Sequence, residues 1–183
     1  MRIVILSDIH DNVWHLAGVL TKVQNHDAMV CCGDLCSPFV VAQLGSAFGG
    51  YCHIVFGNND GDRFTMARVA AELSRTTLHG ELFEGELGGV RVAATHYPDI
   101  AHALAASGEY DLVCFGHTHE LSVTEVGDTL LVNPGSVMGY DPAAREDAPA
   151  TYMVFDAETR ELEVFELVPY DETDGATGSE ADA

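Results

Sequence analysis

The amino-acid sequence predicts an α/β domain in which two stacked β-sheets carry helices on their outer faces. Residues 2–73 alternate short apolar runs with amphipathic stretches, which is typical of three successive βα units. The rest of the chain is mostly strand-like, so two packed sheets fit the pattern better than a single doubly wound sheet. No internal repeat or linker divides residues 1–168, which we take as one domain.

In the first half of the chain, each predicted strand is a continuous apolar run, as expected of a strand that is buried on both faces. Asn12 is a suitable N-cap for the first helix, while Ser37 and Pro38 supply a cap and a first-turn proline for the second. We therefore expect strands at residues 2–7, 28–32 and 51–56, and helices at residues 13–25, 38–47 and 63–73.

In the second half, two hairpins are expected, with turns at Glu84-Gly85 and Gly127-Asp128. Residues 169–183 are polar, acidic and Gly-containing, and we expect them to form a disordered tail. The remaining predicted elements are hairpin strands at 77–83, 86–94, 121–126 and 129–132, a helix at 98–107, a strand at 111–115, and closing strands at 151–156 and 161–168.

The cysteines and the apolar segments indicate a reducing, cytoplasmic setting. Five cysteines in apolar contexts argue against a disulfide framework, and Cys31 and Cys32 are expected on opposite faces of a strand rather than in one zinc site. No apolar run approaches the ~18 residues needed to cross a bilayer, and the N-terminal run is too short for a signal peptide. We interpret the five cysteines as small buried hydrophobic residues: Cys31, Cys32, Cys36, Cys52 and Cys114.

The charge balance is strongly acidic, with 29 Asp and Glu against 8 Lys and Arg and a net charge of −21. Residues 169–183 hold only five of the acids, so the acidity belongs to the folded domain. Self-repulsion of this size destabilises a compact state in dilute buffer, and concentrated salt screens it. The composition therefore indicates a halophilic cytoplasmic protein, and it disfavours binding to nucleic-acid duplexes.

Side chains able to bind metal follow five of the predicted strands, some beside a glycine that allows a tight turn. Ligands bind at the carboxyl ends of strands in open α/β sheets, so we expect these side chains to share one site. Each motif alone is weakly specific, but all five together are not expected by chance. The predicted ligands are Asp8, His10, Asp34, Asn58, His96, His117 and His119.

The mixture of carboxylate, amide and imidazole ligands suits Mn, Fe, Zn or Ni better than Ca. Seven ligands are too many for one ion and fit two, with Asp34 as the expected bridge. In Asp8-x-His10 and His117-x-His119, an extended backbone would place alternate side chains on one face. The other histidines are interpreted as surface or packing residues: His15, His26, His53, His79 and His102.

These ordered motifs resemble those of the calcineurin-like metallophosphoesterases. Asn133-Pro134-Gly135-Ser136 is similar to a further segment of the small prokaryotic phosphodiesterase branch, and the resemblance spans residues 1–168. It implies a four-layer αββα sandwich, two mixed β-sheets flanked by helices, with a dinuclear site at one edge. It also implies that Asp8, His10, Asp34 and His119 hold one ion, and that Asp34, Asn58, His96 and His117 hold the other.

Two departures from the family pattern affect the expected chemistry. Many relatives carry Asp where this chain has Ser37, so a contact to the ligands is expected to differ. Asn59 replaces a histidine that is often credited with assisting the leaving group. Asn cannot donate a proton as an acid at neutral pH, although it can hydrogen-bond a phosphoryl oxygen. We therefore expect Asn59 to orient the phosphate.

The resulting hypothesis is a phosphodiesterase, or less favourably a phosphomonoesterase, that uses a metal-bridging hydroxide. Mn is the preferred metal. The expected partner is a small phosphodiester or phosphomonoester substrate, and no interaction with a membrane is expected. Family resemblance suggests that the chain forms a homodimer or a homotetramer. Two alternatives remain open. One is a metal-dependent nuclease, which the acidic surface disfavours. The other is a non-catalytic, protein-binding scaffold like the retromer subunit of this fold. The Leu35-Cys36 segment after Asp34 resembles a segment of that subunit.

Overall fold

The computed structural model describes residues 1–141 and 144–167, so the predicted tail at 169–183 lies outside the described residues. Two mixed β-sheets of six and five strands form its centre, and four helices accompany them. The predicted αββα architecture is therefore confirmed. No described helix is long and apolar enough to span a membrane.

The elements follow the predicted order, and most ends differ from the predicted ones by one or two residues. The helices are α1 (Val13–Val23), α2 (Pro38–Ala47), α3 (Arg63–Ala71) and α4 (Pro98–Ser107). The first sheet, in spatial order, contains β13 (Leu162–Leu167), β12 (Ala150–Asp156), β1 (Arg2–Leu6), β2 (Ala28–Cys31), β3 (Tyr51–Ile54) and β4 (Thr76–Leu78). The second contains β5 (Leu82–Leu87), β6 (Val90–Thr95), β7 (Leu112–Cys114), β9 (Thr129–Asn133) and β8 (Ser122–Val126). A small ribbon of β10 (Tyr140–Asp141) and β11 (Glu146–Asp147), which was not predicted, lies outside both sheets.

Alternation along the strands explains the layered core. In β1, Val4 and Leu6 pack in a cluster with α1, α2 and α3, whereas Ile3 and Ile5 pack in a second cluster between the two sheets. A third, smaller cluster lies between α4 and the second sheet and includes Ala101. Because both faces of the central strands are covered, their sequences are continuous apolar runs rather than alternating ones.

The first predicted hairpin was wrong in its turn and in its first strand. The structure places the turn at Gly88-Gly89, where both residues have positive φ angles of 61° and 81°. A two-residue turn of this kind requires left-handed backbone at both positions, which glycine adopts without strain, whereas Glu84 would not. The residues predicted as its first strand are divided between β4, which pairs in parallel with β3, and β5.

The helix starts were predicted correctly, but one cap works differently. The Asn12 side chain accepts a hydrogen bond from the backbone N–H of His15 at 3.0 Å, as expected of an N-cap. Ser37 makes no such bond to its helix, and its hydroxyl donates instead to Asp11 Oδ2 at 2.8 Å. Where many relatives have Asp, Ser37 therefore contacts the loop after β1, which carries Asp8 and His10.

The interpretation of the cysteines is confirmed for four of the five. Cys31 and Cys32 lie in different core layers, and all five cysteines are free. Cys36 is the exception because it is half-buried and its Sγ lies 3.6 Å from His10 Nδ1. Its position beside a candidate metal ligand was not predicted.

Candidate metal centre

The strand pairing explains why the predicted ligands meet. β1, β2 and β3 are parallel neighbours in the first sheet, and the loops that follow them carry Asp8, Asp34 and Asn58. β6 and β7 are parallel neighbours in the second sheet, and His96 and His117 follow them. The two sheets stack with these ends on the same side of the molecule, so all seven predicted ligands converge there.

The first group of side chains surrounds Asp8. The Nε2 atoms of His10 and His119 lie 3.1 Å apart, and they lie 3.6 and 3.2 Å from Asp8 Oδ1. His10 Nε2 is also 3.5 Å from Asp34 Oδ2. The candidate ligand atoms of Asp8, His10 and His119 are all within 4.8 Å of one another, a spacing that a single ion can bridge.

The second group shares Asp34 with the first. Asp34 Oδ2 lies 3.4 Å from His96 Nε2, and Asp8, Asp34 and His96 form a second cluster within 4.8 Å. Asn58 Oδ1 then joins His96 to His117, at 2.9 Å from His96 Nε2 and 2.9 Å from His117 Nδ1. The Asp34 carboxylate therefore lies within 3.5 Å of histidine nitrogens of both groups, and Asp8 belongs to both 4.8 Å clusters.

The hydrogen bonding of these groups fits a bound cation. Asp8 is fully buried, yet its Oδ1 has no hydrogen-bond partner among the described residues. A buried carboxylate oxygen without a donor is costly unless a cation completes its surroundings. His119 Nδ1 is likewise buried and without a partner. A cluster of carboxylate oxygens and imidazole nitrogens suits divalent transition metals.

One histidine is oriented by a backbone carbonyl. His96 Nδ1 lies 2.8 Å from the carbonyl oxygen of Cys32, which can only accept a hydrogen bond. The Nδ1 atom must therefore carry the proton, and the lone pair of Nε2 points towards Asp34 and Asn58. The backbone carbonyl thus fixes the His96 ring so that Nε2 is available to bind a metal ion.

The charges of the site reinforce one another. Burial raises the pKa of the Asp8 carboxyl, but its close contacts with the His10 and His119 imidazoles outweigh burial, and the net shift is downward. Asp34 behaves in the same way, with burial opposed by His96 and Asn59, and its pKa is lowered. The pKa of His119 is raised chiefly by its contact with Asp8. Both carboxylates are thus ionised at neutral pH and available to a cation.

Backbone strain is concentrated at this site. Among the described residues, nine non-glycine residues have positive φ, and seven of them belong to the three loops that carry Asp8, Asp34 and His117. The left-handed region costs free energy for such residues and commonly marks functional sites. The extended backbone expected for the two D/H-x-H motifs was therefore wrong. The residues concerned are Asp8 (54°), His10 (46°), His117 (74°) and His119 (61°).

Asp60 is a structural residue of the site whose role sequence reasoning missed. Its carboxylate is 5% exposed and accepts hydrogen bonds from the backbone N–H groups of Gly57 (2.7 Å), Asp34 (3.1 Å) and Cys36 (2.8 Å). It therefore joins the loop after β2 to the loop after β3. The signal available in the sequence was an aspartate two residues after Asn58, although only a structure shows which backbone groups its carboxylate binds.

Asn59 and the 133–136 segment support the ligands from outside. Asn59 donates to Asp34 twice, from its backbone N–H to Oδ1 and from its side-chain amide to Oδ2, both at 2.8 Å. Asn133 donates to the carbonyl oxygen of Gly116 at 3.0 Å, and the Ser136 hydroxyl donates to the carbonyl oxygen of Asp8 at 2.9 Å. The segment singled out in the sequence thus holds the first and last ligand loops together. The five histidines interpreted as packing or surface residues belong to neither cluster.

Two stacked sheets whose parallel strand ends share a cluster of Asp, Asn and His fit the class of metal-dependent phosphoesterases. Residues 1–160 match the calcineurin-like phosphoesterase superfamily domain, and the chain belongs to this family. It is 30% identical over 147 residues to a phosphodiesterase from Methanocaldococcus jannaschii, which covers 76% of this chain and 86% of that protein.

Solved structures agree with this assignment. An archaeal phosphodiesterase superposes with a TM-score of 0.82 and 27% identity, over 91% of this chain and 100% of that chain. The Vps29 protein from Chaetomium thermophilum has the same fold, with a TM-score of 0.65 and 19% identity over 94% of this chain and 91% of that chain. The resemblance stated from the sequence motifs is confirmed at the level of the family and of its prokaryotic phosphodiesterase branch.

Proposed function

We propose that this protein is a metal-dependent phosphodiesterase that hydrolyses a small phosphodiester, with a phosphomonoester as a poorer substrate. The observation that supports it most strongly is the complete donor set, in which the Asp34 carboxylate lies within 3.5 Å of histidine nitrogens from both groups. The 30% identical phosphodiesterase supports the same reaction class.

The chain's residues divide into two ligand sets in this proposal. Two divalent ions, with Mn preferred over Fe, Zn or Ni, would supply a hydroxide nucleophile and positive charge for the phosphoryl oxygens. Asp34 is shared between the sets, and its lowered pKa keeps it ionised at neutral pH. The first set contains Asp8, His10, Asp34 and His119, and the second contains Asp34, Asn58, His96 and His117.

Asn59 carries the proposed preference for diesters. Its side-chain amide donates one hydrogen bond to Asp34 Oδ2, so it positions Asp34, and an amide has a second N–H group that can donate to a phosphoryl oxygen. It cannot protonate a leaving group. Substrates with poor alkoxide leaving groups should therefore react more slowly than aryl or otherwise activated diesters.

The alternative is a non-catalytic scaffold of the same fold, since the Vps29 protein shares it. At 19% identity that similarity concerns the fold only. A scaffold has no need of buried carboxylates that lack donors, so the unpartnered Asp8 Oδ1 favours the enzyme.

The test is hydrolysis of bis(p-nitrophenyl) phosphate with added Mn²⁺ in high salt, comparing the wild type with Asp34→Asn. We expect metal-dependent cleavage that falls at least about 100-fold in Asp34→Asn. Asp128→Asn, in the exposed turn between β8 and β9, is the matched control and should retain full activity. Folded protein without activity in any divalent metal would contradict the enzyme and favour the scaffold.

A further inference from the structure

The loop after β3 carries the candidate ligand Asn58, and charged side chains hold its backbone. Two N–H groups of this loop donate to carboxylates, that of Gly57 to Asp60 Oδ2 at 2.7 Å and that of Asn59 to Asp34 Oδ1 at 2.8 Å. A loop that is held only through its N–H groups leaves its carbonyl oxygens to be met by other donors.

Arg63, the first residue of α3, supplies those donors. Its Nη2 donates to the carbonyl oxygen of Gly57 at 2.7 Å, and its Nε donates to that of Asp60 at 3.3 Å. The guanidinium carbon lies 4.9 Å from the centre of the Phe56 ring, a cation–π contact that helps to fix the guanidinium. The planar guanidinium thus connects both ends of the segment that presents Asn58.

The same guanidinium reaches the loop after β6 in the second sheet. The pKa of Arg63 is raised by its contact with Glu81 and, less strongly, by the Tyr97 hydroxyl, so this hydroxyl lies beside the guanidinium. The Tyr97 ring meets that of His96 edge-on with the ring centres 5.5 Å apart, and its centre is 6.3 Å from that of His117. Arg63 is therefore linked through Tyr97 to two candidate ligands on the second sheet.

A surface ion pair is the alternative role for this arginine. Arg63 Nη1 lies 2.9 Å from Glu81 Oε1, and both side chains are partly exposed. Exposed pairs of this kind contribute little to stability. An ion pair with Glu81 also does not require the two carbonyl contacts, which join Arg63 to the ligand loop itself.

We propose that Arg63 is a positioning residue for the second ligand set, which holds Asn58 and, through Tyr97, the histidines of that set where they bind the second ion. This inference rests on the proposed two-ion centre. Its contacts are with loops of the second set, whereas Asp8 and His10 of the first set lie on the loop after β1. Loss of Arg63 should therefore weaken the binding of one ion and spare the other.

The experiment counts the Mn²⁺ ions that bind to metal-free protein in concentrated KCl, by calorimetry and by EPR. An exchange-coupled pair of Mn²⁺ ions and an isolated ion give different EPR spectra, so the spectrum reports whether both sets are filled. We expect two ions and a coupled spectrum for the wild type. Arg63→Met, which keeps an apolar stem, should lower the affinity of one ion about 10–100-fold and leave that of the other unchanged. Asn58→Ala, which removes a ligand of the second set, should show the same selective loss.

Arg68→Met is the matched control, because Arg68 is an exposed arginine in the last turn of the same helix, and it should bind both ions as the wild type does. Glu81→Gln removes the ion pair but not the carbonyl contacts, and it should also retain both ions. Arg63→Lys keeps the charge but lacks the planar fork that meets both carbonyl oxygens, so the affinity of one ion should still fall at least about tenfold. Arg63→Lys decides the question if Arg63→Met does not fold.

A coupled spectrum with unchanged affinities in the folded Arg63 variants would overturn this inference and leave the two-ion centre standing. Equal weakening of both ions, or the same selective loss in Glu81→Gln, would overturn it too, because the effect would then belong to general destabilisation or to the ion pair. A wild type that binds no more than one Mn²⁺ ion would overturn the two-ion centre and the inference together.

Discussion

At the scale of single residues, the sequence predicted which candidate metal ligands would come together, but it did not predict the residues that support them. Asp8, Asp34 and His96 could be identified because each follows a predicted strand with a side chain that binds metal. The contacts of Asp60 depend on where the loops after β2 and β3 pass each other, which no local pattern records. Residues that orient a site through backbone N–H groups are therefore the ones that sequence reasoning misses.

We expect Asp60→Asn to weaken both folding and metal binding. The new amide would place an N–H group against backbone donors that now meet a carboxylate oxygen, leaving at least one of them unsatisfied. The loss should be about 1–3 kcal/mol in urea unfolding and about 10–100-fold in Mn²⁺ affinity by calorimetry. Asp62→Asn is the control, because Asp62 is an N-cap and Asn serves equally well there. Unchanged metal affinity in Asp60→Asn would show that the loops hold without it.

Asn59→His should increase phosphomonoester turnover. An imidazole at this position can donate a proton to an alkoxide leaving group, and such assistance is worth about 10²–10⁴-fold when well placed. We expect at least a tenfold increase in kcat with an alkyl phosphomonoester, and a smaller increase with p-nitrophenyl phosphate, because p-nitrophenolate leaves without a proton. Asn59→Ala removes the amide without adding an acid and should show no increase. A similar rate for both variants would contradict the role assigned to this position.

At the scale of elements, buried strands and helix starts were predictable because continuous apolar runs and capping residues are features of the local sequence. Helix α4, at Pro98–Ser107, has the predicted bounds, since Pro98 and Gly108 mark its ends. The pairing of strands was less accessible. Residues 77–83 looked like one strand, but its two parts join different sheets, and that choice is made by tertiary packing.

We expect Gly57→Ala to disrupt the contact between the loops after β2 and β3. A Cβ atom at Gly57 would collide with the carboxylate of Asp34, so the Asp34 side chain or the backbone must move. Activity should fall at least about tenfold, and urea unfolding should show a loss of about 1–3 kcal/mol. Gly61→Ala is the matched control in the same loop, because the nearest atom to its added Cβ would be 3.8 Å away. Equal behaviour of the two variants would refute the close-approach argument.

The first sheet's β3–β4 edge predicts a pH dependence of stability. His53 Nδ1 lies 3.1 Å from His79 Nε2, and burial together with His79 lowers the pKa of His53 to about 4. The unfolded chain, with an ordinary value near 6.5, therefore binds the proton at a higher pH than the folded chain does. His53 therefore has no effect on the free energy of unfolding above pH 6.5, and it lowers that free energy as the pH drops from 6.5 towards 4.

His79→Gln should make this decline shallower, because it removes one titrating group and the repulsion between two imidazolium rings. The measurement is the midpoint of urea unfolding at intervals from pH 7 to pH 4. His102→Gln, at an exposed position of α4, is the control and should follow the wild type. An unaltered pH profile in His79→Gln would assign the acid sensitivity to other groups.

At the scale of the whole molecule, the dominant feature is an excess of negative charge. Four of the eight cationic side chains already form ion pairs with carboxylates among the described residues: Arg2, Arg63, Arg91 and Arg160. The 8 lysines and arginines can offset only a minority of the charge of the 29 acids, and folding brings like charges closer together. The composition predicted this balance completely, since no structure is needed to count charges.

We expect the melting temperature to rise by at least about 5–10 °C between 0.1 and 2 M KCl, since the Debye length falls from about 10 Å to below about 3 Å and the repulsion is screened. Salt can also strengthen apolar burial, so a charge-reduced variant is needed to separate the two effects. Replacing four exposed acids by Gln, at Glu72, Glu109, Glu125 and Glu158, removes repulsion without altering the core. This variant should melt higher than the wild type in 0.1 M KCl and gain less from added salt. If both proteins gain equally, screening of surface repulsion is not what salt supplies, and the halophilic interpretation of the composition fails.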